Sequence, residues 1–298
     1  MRVVLAGGSG RVGTALQRYW AVGGTEVVRL VRRPPRAAGE VEWDPVTGHI
    51  DATRLAGCDV LVNLAGENIA GGRWTPERKR RLRESRLQAT TTLAAAIDAA
   101  AWRPQVWINA SAVGYYGDAG DAVLDESSLQ GSGFLATLCA DWEQATRPAE
   151  AAGVRVVRLR LGVVLEAGGG ALAKMLPVFR AGLGGPVGDG RQWLSWIGRD
   201  ELCRVVDTVA RDARFAGPVN AVAPEPMRNA DFAAALGRVL RRPAVVRSPA
   251  WAVRLALGEM GCETVLASQR AVPRSLLDHG YGFAFGGLVE ALRAAAAD

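Results

Sequence analysis

Short segments rich in apolar residues recur along the first half of the chain, and the first of them, residues 3–5, is a continuous apolar run. They occupy residues 3–5, 25–31, 59–66, 107–117 and 154–160. A short unbroken apolar run is typical of a strand buried on both faces, because a solvated face would require alternate polar residues. Helical spacing lies between the runs, over Pro76–Ala101 and residues 133–152 among others. This alternation predicts an α/β protein built on a Rossmann-type, doubly wound parallel sheet with helices on both faces.

The first apolar run leads directly into glycines at three-residue spacing and then into a helical stretch. A strand, a glycine turn and a helix start are what a dinucleotide diphosphate requires. The turn must be tight, the phosphates must approach the backbone closely, and the helix N-terminus offers them N–H groups. The candidate cofactor-binding residues of this turn are Gly7, Ser9, Gly10, Arg11, Val12 and Gly13.

The second predicted strand, residues 25–31, ends at a pair of arginines, Arg32 and Arg33. In proteins of this architecture that bind NAD, an acidic side chain near this point accepts hydrogen bonds from the ribose 2′-hydroxyl. Two guanidinium groups instead favour a 2′-phosphate, which arginine can bind through two hydrogen bonds. The sequence therefore predicts NADP(H) as the cofactor, with Arg11 of the glycine turn as a third candidate cation.

Two later strands end in residues suited to a site. The run at 59–66 closes on Asn63 and small residues that let a dinucleotide pass near the backbone. The run at 107–117 leads into Ser111, Tyr115 and Tyr116. Because ligands of open parallel sheets lie at the carboxyl ends of the strands, these three hydroxyl groups are the candidate catalytic groups.

Composition narrows the remaining possibilities. The formal net charge is +6, but basic residues are spread along the chain, so we expect no nucleic-acid partner. No apolar run reaches the roughly 18–20 residues that cross a bilayer, so we expect no membrane partner. The four cysteines are widely separated, which predicts buried thiols, no metal site and a cytoplasmic setting.

Several motifs together resemble those of the extended short-chain dehydrogenase/reductases, in particular an atypical epimerase-like branch. They are GGSGRVG at 7–13, NLAGENI at 63–69, SRLQATTTL at 85–93, SAVGYYG at 111–117, the glycine-rich stretch at 162–197 and VPRSLLDHGYGF at 272–283. These pieces span nearly the whole chain in order.

The resemblance implies an NADP(H)-binding Rossmann domain over residues 1–165, with a returning strand near 217–223. Residues 166–216 and 224–298 would form a smaller, partly C-terminal unit that closes over a small-molecule substrate. A nucleotide sugar or a small carbonyl compound is the implied substrate, and a homodimer is an expected assembly. Position by position, the resemblance adds these cofactor-binding residues to Asn63: Leu64, Ala65, Gly66, Arg86, Gly162 and Val163.

One departure from the family pattern concerns its acid–base pair. Redox-active relatives carry Tyr-x-x-x-Lys on the helix after the serine strand, where the tyrosine exchanges a proton and the lysine lowers its pKa. Those positions fall here at Leu135 and Cys139, and no lysine occurs between residues 80 and 173. Two hypotheses follow: an oxidoreductase or epimerase-like enzyme that uses Tyr115 or Tyr116 with Ser111, or an NADP(H)-binding sensor or scaffold without turnover.

Overall fold

The computed structural model describes residues 1–99, 103–285 and 287–297. Its strands are β1 (Arg2–Ala6), β2 (Glu26–Val31), β3 (Glu40–Asp44), β4 (His49–Ile50), β5 (Val60–Asn63), β6 (Val106–Ala112), β7 (Val123–Leu124), β8 (Arg155–Leu161), β9 (Val163–Leu165), β10 (Trp193–Leu194), β11 (Trp196–Gly198), β12 (Gly217–Ala221), β13 (Met227–Arg228) and β14 (Arg270–Ala271). Its helices are α1 (Arg11–Val22), α2 (Pro76–Ala99), α3 (Phe134–Gln144), α4 (Arg147–Ala151), α5 (Gly170–Arg180), α6 (Arg199–Arg211), α7 (Asn229–Leu240), α8 (Ala250–Leu257), α9 (Glu259–Thr264), α10 (Arg274–Asp278) and α11 (Leu288–Ala297). Single 3₁₀ turns occupy Ala52–Leu55 and Val113–Tyr116.

The main sheet has eight strands in the order β12-β8-β6-β5-β1-β2-β3-β4. All neighbours are parallel except the edge pair β3–β4. From β1 the chain builds outward through β2 and β3 on one side, and from β5 onward it builds on the other. A crevice therefore opens at the carboxyl ends of β1 and β5, where sheets of this kind bind their ligands. The predicted Rossmann-type α/β fold is confirmed.

Two apolar cores cover the two faces of this sheet. One packs α1 and α6 against the sheet, with Trp20, Leu202 and Val206 fully buried. The other packs α2 and α4 against the opposite face, around Leu93 and Trp107. Burying a side chain of this size contributes roughly 1.5–3 kcal/mol, so both faces hold the strand ends rigidly in register.

A third core lies outside the sheet, between α5, α7, α11 and the short β9–β11 pair. Helix α6 falls within residues 166–216, which the sequence assigned to the substrate side, yet it packs on the Rossmann sheet. Strand β12 returns beside β8 at the predicted place. The division of the chain into two domains otherwise stays a prediction.

Other boundaries differ from the sequence prediction for local reasons. The helix expected over residues 133–152 is two helices, since Pro148 in the first turn of α4 has no N–H to donate to a preceding turn. The sequence reasoning missed strand β3, which carries the buried Trp43. The predicted helix end at Ala101 lies outside the described residues.

Two composition-based expectations can be compared with the structure. Cys58, Cys139 and Cys203 are buried as expected, whereas Cys262 is exposed because it lies on the outer side of the short helix α9. Within the described ranges, no helix has the length and apolarity needed to cross a bilayer.

We expect Gly13→Ala to destabilise the protein by about 1–3 kcal/mol, because the added carbon would overpack backbone atoms. A Cβ at this position would lie 2.4 Å from the Gly7 carbonyl oxygen and 2.8 Å from the Gly8 Cα. The measurement is urea unfolding followed by circular dichroism. Gly282→Ala is the matched control, since nothing lies within 4 Å of a Cβ there. Equal stability of the two variants would contradict the packing argument.

Candidate functional site

The glycine turn between β1 and α1 is packed against the backbone that follows β5. Gly7 has φ +80°, and a Cβ there would lie 2.7 Å from the Leu64 carbonyl carbon and 2.9 Å from the Ala65 nitrogen. The Gly10 N–H donates to the Gly7 carbonyl at 3.0 Å and closes the turn. Only glycine fits Gly7 because both its φ and its surroundings exclude a side chain.

The N-terminus of α1 faces this turn without an internal anion. Gly10 caps the helix with no side-chain hydrogen bond, and the first turn contains no acidic residue. The Gln17 amide donates to the carbonyls of Gly8 and Gly13, at 2.6 and 3.0 Å, and so fixes the turn from behind. The helix N–H groups and dipole are therefore available to a negatively charged ligand.

A cavity of about 810 Å³ extends from this turn along the crevice. It is lined by residues 7–10 of the turn, 29–33 at the end of β2, 64–67 after β5, and one face of α2 that includes Arg81 and Gln88. Trp43, Pro45 and Val46 complete its outer wall. Its size and its position at the topological switch point suit the adenosine half of a dinucleotide.

The two arginines after β2 have different environments. Arg32 is exposed, lines the cavity, and has no hydrogen-bond or ion-pair partner in the described part of the chain. Arg33 donates to both carboxylate oxygens of Glu40, at 2.9 and 2.8 Å. Arg32 therefore keeps its charge and donors for a ligand, whereas those of Arg33 are largely engaged within the protein.

Glu40 is a buried carboxylate that the sequence reasoning did not identify. Besides Arg33 it binds the Arg29 guanidinium at 2.7 Å and accepts the Arg36 backbone N–H at 2.7 Å. The hydrogen bonds from Arg33 and then from Arg36 lower the pKa of Glu40 to about 2. Glu40 stays ionised at neutral pH and orients the loop that carries Arg32.

Arg11 points away from the other two arginines. Its Nε lies 3.6 Å from the buried carboxylate of Glu166, and it packs on the backbone of Gly169. It is not among the residues that line the cavity. Arg11 thus links the glycine turn to the segment before α5, and its place as a third cation beside Arg32 stays a prediction that this geometry does not favour.

The backbone after β5 is held in place by buried amides. The Asn63 side chain donates to Asn109 at 2.7 Å and to Thr90 at 3.1 Å, and it accepts the Ala65 N–H. These bonds use its polar atoms inside the protein, so Asn63 shapes the path of residues 64–66. The Arg86 guanidinium lies beside Gly66, donates to the Glu67 carbonyl at 3.1 Å, and stacks over Trp142.

At the other end of the crevice, Gly162 and Val163 follow β8. A Cβ on Gly162 would lie 2.8 Å from both the Ser195 carbonyl oxygen and a Val222 methyl. The Val163 N–H donates to the same Ser195 carbonyl at 2.8 Å. Glycine is therefore required by close packing, and the half-buried Val163 lies where the sheet meets the third core.

Ser111 is buried at the end of β6 beside a charged pair. Its hydroxyl donates to Glu143 at 2.7 Å, and Glu143 forms two hydrogen bonds of 2.9 Å with Arg160. Both charged side chains are at most one tenth exposed. The hydroxyl proton of Ser111 is therefore committed to an internal carboxylate.

Of the two tyrosines in the 3₁₀ turn, one has its hydroxyl bonded within the protein and the other does not, as with the guanidinium groups of Arg33 and Arg32. The Tyr116 hydroxyl accepts from Arg160 at 3.0 Å and lies 2.7 Å from the Asn220 side-chain oxygen. Burial raises the pKa of Tyr116 to about 12. Tyr115 is half-buried, and the guanidinium carbon of Arg160 lies 3.6 Å from the centroid of its ring. The Tyr115 hydroxyl has no hydrogen-bond partner among the described residues.

Leu135 and Cys139 lie beside this turn, on the face of α3 that meets β6. A Cβ on Gly114 would be 3.3 Å from the Leu135 Cβ and 3.9 Å from the Cys139 sulfur. Burial raises the pKa of the Cys139 thiol to about 11. Neither side chain can transfer a proton in the way that a tyrosine–lysine pair does. Across the described ranges, no group of three or more His, Cys, Asp or Glu side chains could hold a metal ion.

Three residues of this site escaped the sequence reasoning: Glu40, Glu143 and Arg160. Arg160 had a weak signal: it is one of three arginines in β8, and a charge that the covered sheet buries requires a buried partner. The sequence signal for Glu143 was its spacing: it lies four residues after Cys139 and so on the same face of the helix. Nothing in the sequence marked Glu40.

Comparison with known proteins places these features in context. The family model described as NAD dependent epimerase/dehydratase family matches residues 3–221. A second model, a domain of unknown function, matches residues 248–295. The two matches together cover most of the chain.

The chain is similar to several known proteins over nearly all of its own length. The chain is 44% identical to an epimerase family protein of Mycobacterium bovis, over 97% of this chain and 96% of that one. A crystal structure of human epimerase family protein SDR39U1 (isoform 2) with NADPH has 36% identity, a TM-score of 0.90 and full coverage of both chains. A nucleoside-diphosphate sugar epimerase from Corynebacterium glutamicum has 37% identity and a TM-score of 0.80, over 99% of this chain and 58% of that one.

We expect Glu143→Gln to lower the free energy of unfolding by roughly 3–5 kcal/mol, because it leaves the buried Arg160 without its counter-charge. Chemical denaturation measures this loss. Asp141→Asn on the same helix is the control, since its ion pair with Arg83 is exposed and contributes at most about 1 kcal/mol. Similar losses for both variants would show that the buried pair has no special structural role.

Proposed function

Because this chain belongs to the NAD-dependent epimerase/dehydratase family, we propose that it binds NADP(H) and acts as an oxidoreductase or epimerase-like enzyme on a small molecule. A nucleotide sugar or a small carbonyl compound is the proposed substrate class. The structure of the human relative with NADPH, and the similarity to a nucleoside-diphosphate sugar epimerase from Corynebacterium glutamicum, support this proposal.

The unpaired Arg32 in the 810 Å³ cavity is the observation that carries the cofactor proposal. An unpaired guanidinium at the end of β2 can bind a 2′-phosphate through two charge-assisted hydrogen bonds. Arg33 contributes charge nearby and is held in position by Glu40. Glu40 is ionised, but it is buried and its charge is paired with Arg29 and Arg33. It therefore does not repel the phosphate as an exposed carboxylate would.

The remaining cofactor contacts follow from the turn and the strand ends. The α1 N-terminus and the backbone of residues 7–10 would bind the diphosphate, since within the described residues no side chain caps this helix end. The backbone of residues 64–66, with Arg86 beside it, would line the path toward the second ribose, and Gly162 and Val163 would flank the nicotinamide. When bound, NADP(H) supplies the hydride-transfer chemistry.

Tyr115 is the proposed proton donor for a substrate oxygen. Its hydroxyl is the one candidate group without a partner in the described structure, whereas those of Ser111 and Tyr116 are bonded internally. It lies on the turn directly after β6, at the carboxyl edge of the sheet. Arg160 packs against the ring and, through its pair with Glu143, fixes the turn's orientation.

The second candidate function is an NADP(H)-binding sensor without turnover. The specific observation in its favour is that Leu135 and Cys139 stand where redox-active relatives carry tyrosine and lysine. Measuring NADPH binding together with NADPH consumption across a panel of carbonyl compounds and nucleotide sugars separates the two. Tight binding without consumption of NADPH by any compound would favour the sensor.

Arg32→Ala should weaken NADPH binding about 10- to 100-fold, the loss expected for charge-assisted hydrogen bonds, and leave NADH binding unchanged. Isothermal titration with both cofactors measures the difference. Arg18→Ala removes an equally exposed arginine from α1 and serves as the control. An unchanged ratio of NADPH to NADH affinity in Arg32→Ala would remove the basis for this 2′-phosphate site.

Tyr115→Phe should lower kcat by about 10²-fold or more, the usual contribution of a positioned general acid, and leave the Kd for NADPH within about twofold. The readout is NADPH consumption with the best compound from the panel. Tyr116→Phe is the comparison: we expect a loss of thermal stability, since Arg160, the Asn220 side chain and the Asp125 carbonyl each lose a hydrogen-bond partner, with kcat largely retained. The opposite pattern would assign the proton to Tyr116.

A further inference from the structure

One segment outside the cofactor site carries arginines with no acidic residue among them. Residues 232–258 contain five arginines and no aspartate or glutamate, so the formal charge of the segment is +5. The segment runs from within α7 to the end of α8. The arginines are Arg238, Arg241, Arg242, Arg247 and Arg254.

All five side chains are exposed, and none has a hydrogen-bond or ion-pair partner in the described structure. Some arginines elsewhere behave differently: Arg33, Arg160 and Arg214 each bind a carboxylate through two or more hydrogen bonds. An array of like charges without counter-charges repels itself and has no stabilising role within the chain. It is available to an external polyanion.

The local backbone presents part of this array. Arg241 has φ +54°, and it is the one non-glycine residue with a positive φ among the described residues. It follows the last residue of α7, a position that usually carries glycine because other side chains are strained there. Arg238, Arg241 and Arg242 line a groove of about 370 Å³ together with Ala244 and Val245.

Large apolar side chains are exposed between these arginines. Val245 is 77% exposed, Trp251 67% and Leu255 69%, and Val246 is also exposed. Trp251 and Leu255 lie one turn apart on α8, while Val253 of the same helix is buried. A tryptophan and aliphatic residues interleaved with arginines have the composition of surfaces that adsorb at the lipid headgroup boundary.

We propose that residues 238–255 form a peripheral docking surface for an anionic membrane. The arginines would bind lipid phosphates, and Trp251, Leu255 and the two valines would enter the boundary between headgroups and acyl chains. Nucleic acid is disfavoured as the occupant, because valine and leucine neither stack on bases nor bind phosphate. Peripheral adsorption requires no membrane-spanning helix, and this surface lies apart from the cavity of the proposed function.

The test is co-sedimentation of the full chain with vesicles. Vesicles of equimolar phosphatidylcholine and phosphatidylglycerol are compared with phosphatidylcholine alone, at low salt and at about 0.5 M NaCl, where surface charges are screened. We expect binding only to the anionic vesicles. The variant Arg238→Glu/Arg241→Glu/Arg242→Glu should weaken it at least tenfold, and Trp251→Ser/Leu255→Ser should weaken the fraction that survives high salt.

A matched control variant tests whether the position of the arginines, and not only the total charge of the protein, determines vesicle binding. Arg18→Glu/Arg147→Glu/Arg293→Glu makes the same charge change at three exposed, unpaired arginines elsewhere, and it should retain vesicle binding within about threefold. NADPH affinity and melting temperature of each variant report its folding. Equal losses in both triple variants, no binding to anionic vesicles, or binding to duplex DNA in their place would each overturn the proposal.

Discussion

The backbone at Gly7 lies against residues 64 and 65 with no space for a side chain between them: a Cβ there would lie 2.7 to 2.9 Å from their backbone atoms. Gly13 packs equally closely on Gly7 and Gly8 within the turn. The contact at Gly7 joins the carboxyl ends of β1 and β5, at the point where the strand order reverses. It also sets the direction of α1 and keeps its N-terminus open. The crevice, its anion-binding end and the path of a dinucleotide all depend on it.

The buried carboxylates of this protein are paired with arginines, and this pairing determines which arginine side chains remain available to a ligand. Glu40 and Glu143 are buried carboxylates that hold Arg33 and Arg160. Each pair orients a neighbouring group: Glu40 fixes the loop that carries Arg32, and Arg160 supports the turn that carries Tyr115. Because a buried ion must be paired, the arginines without a partner in the described structure lie at the surface, among them Arg32 at the cavity and the arginines of residues 232–258.

Helix α3 illustrates how a fold can be kept while its chemistry changes. Leu135, Cys139 and Glu143 occupy successive turns of the face that meets β6 and the 3₁₀ turn. An apolar residue, a thiol and a paired carboxylate pack this interface well and provide no acid–base pair like that of related enzymes. Of the three candidate hydroxyl groups, that of Tyr115 has no partner among the described residues, so the proposed proton donor lies on the turn and not on the helix.

The sequence by itself determined the alternation of buried strands and helices, the glycine turn, the arginine pair and the absence of the tyrosine–lysine pair. These are local properties, set by short apolar runs and by residues adjacent in the chain. Only the tertiary structure decided which member of each candidate pair is available, Arg32 rather than Arg33 and Tyr115 rather than Tyr116. Their partners Glu40, Arg160 and Asn220 come from other strands, and hydrogen bonds between distant segments leave no local pattern in the sequence.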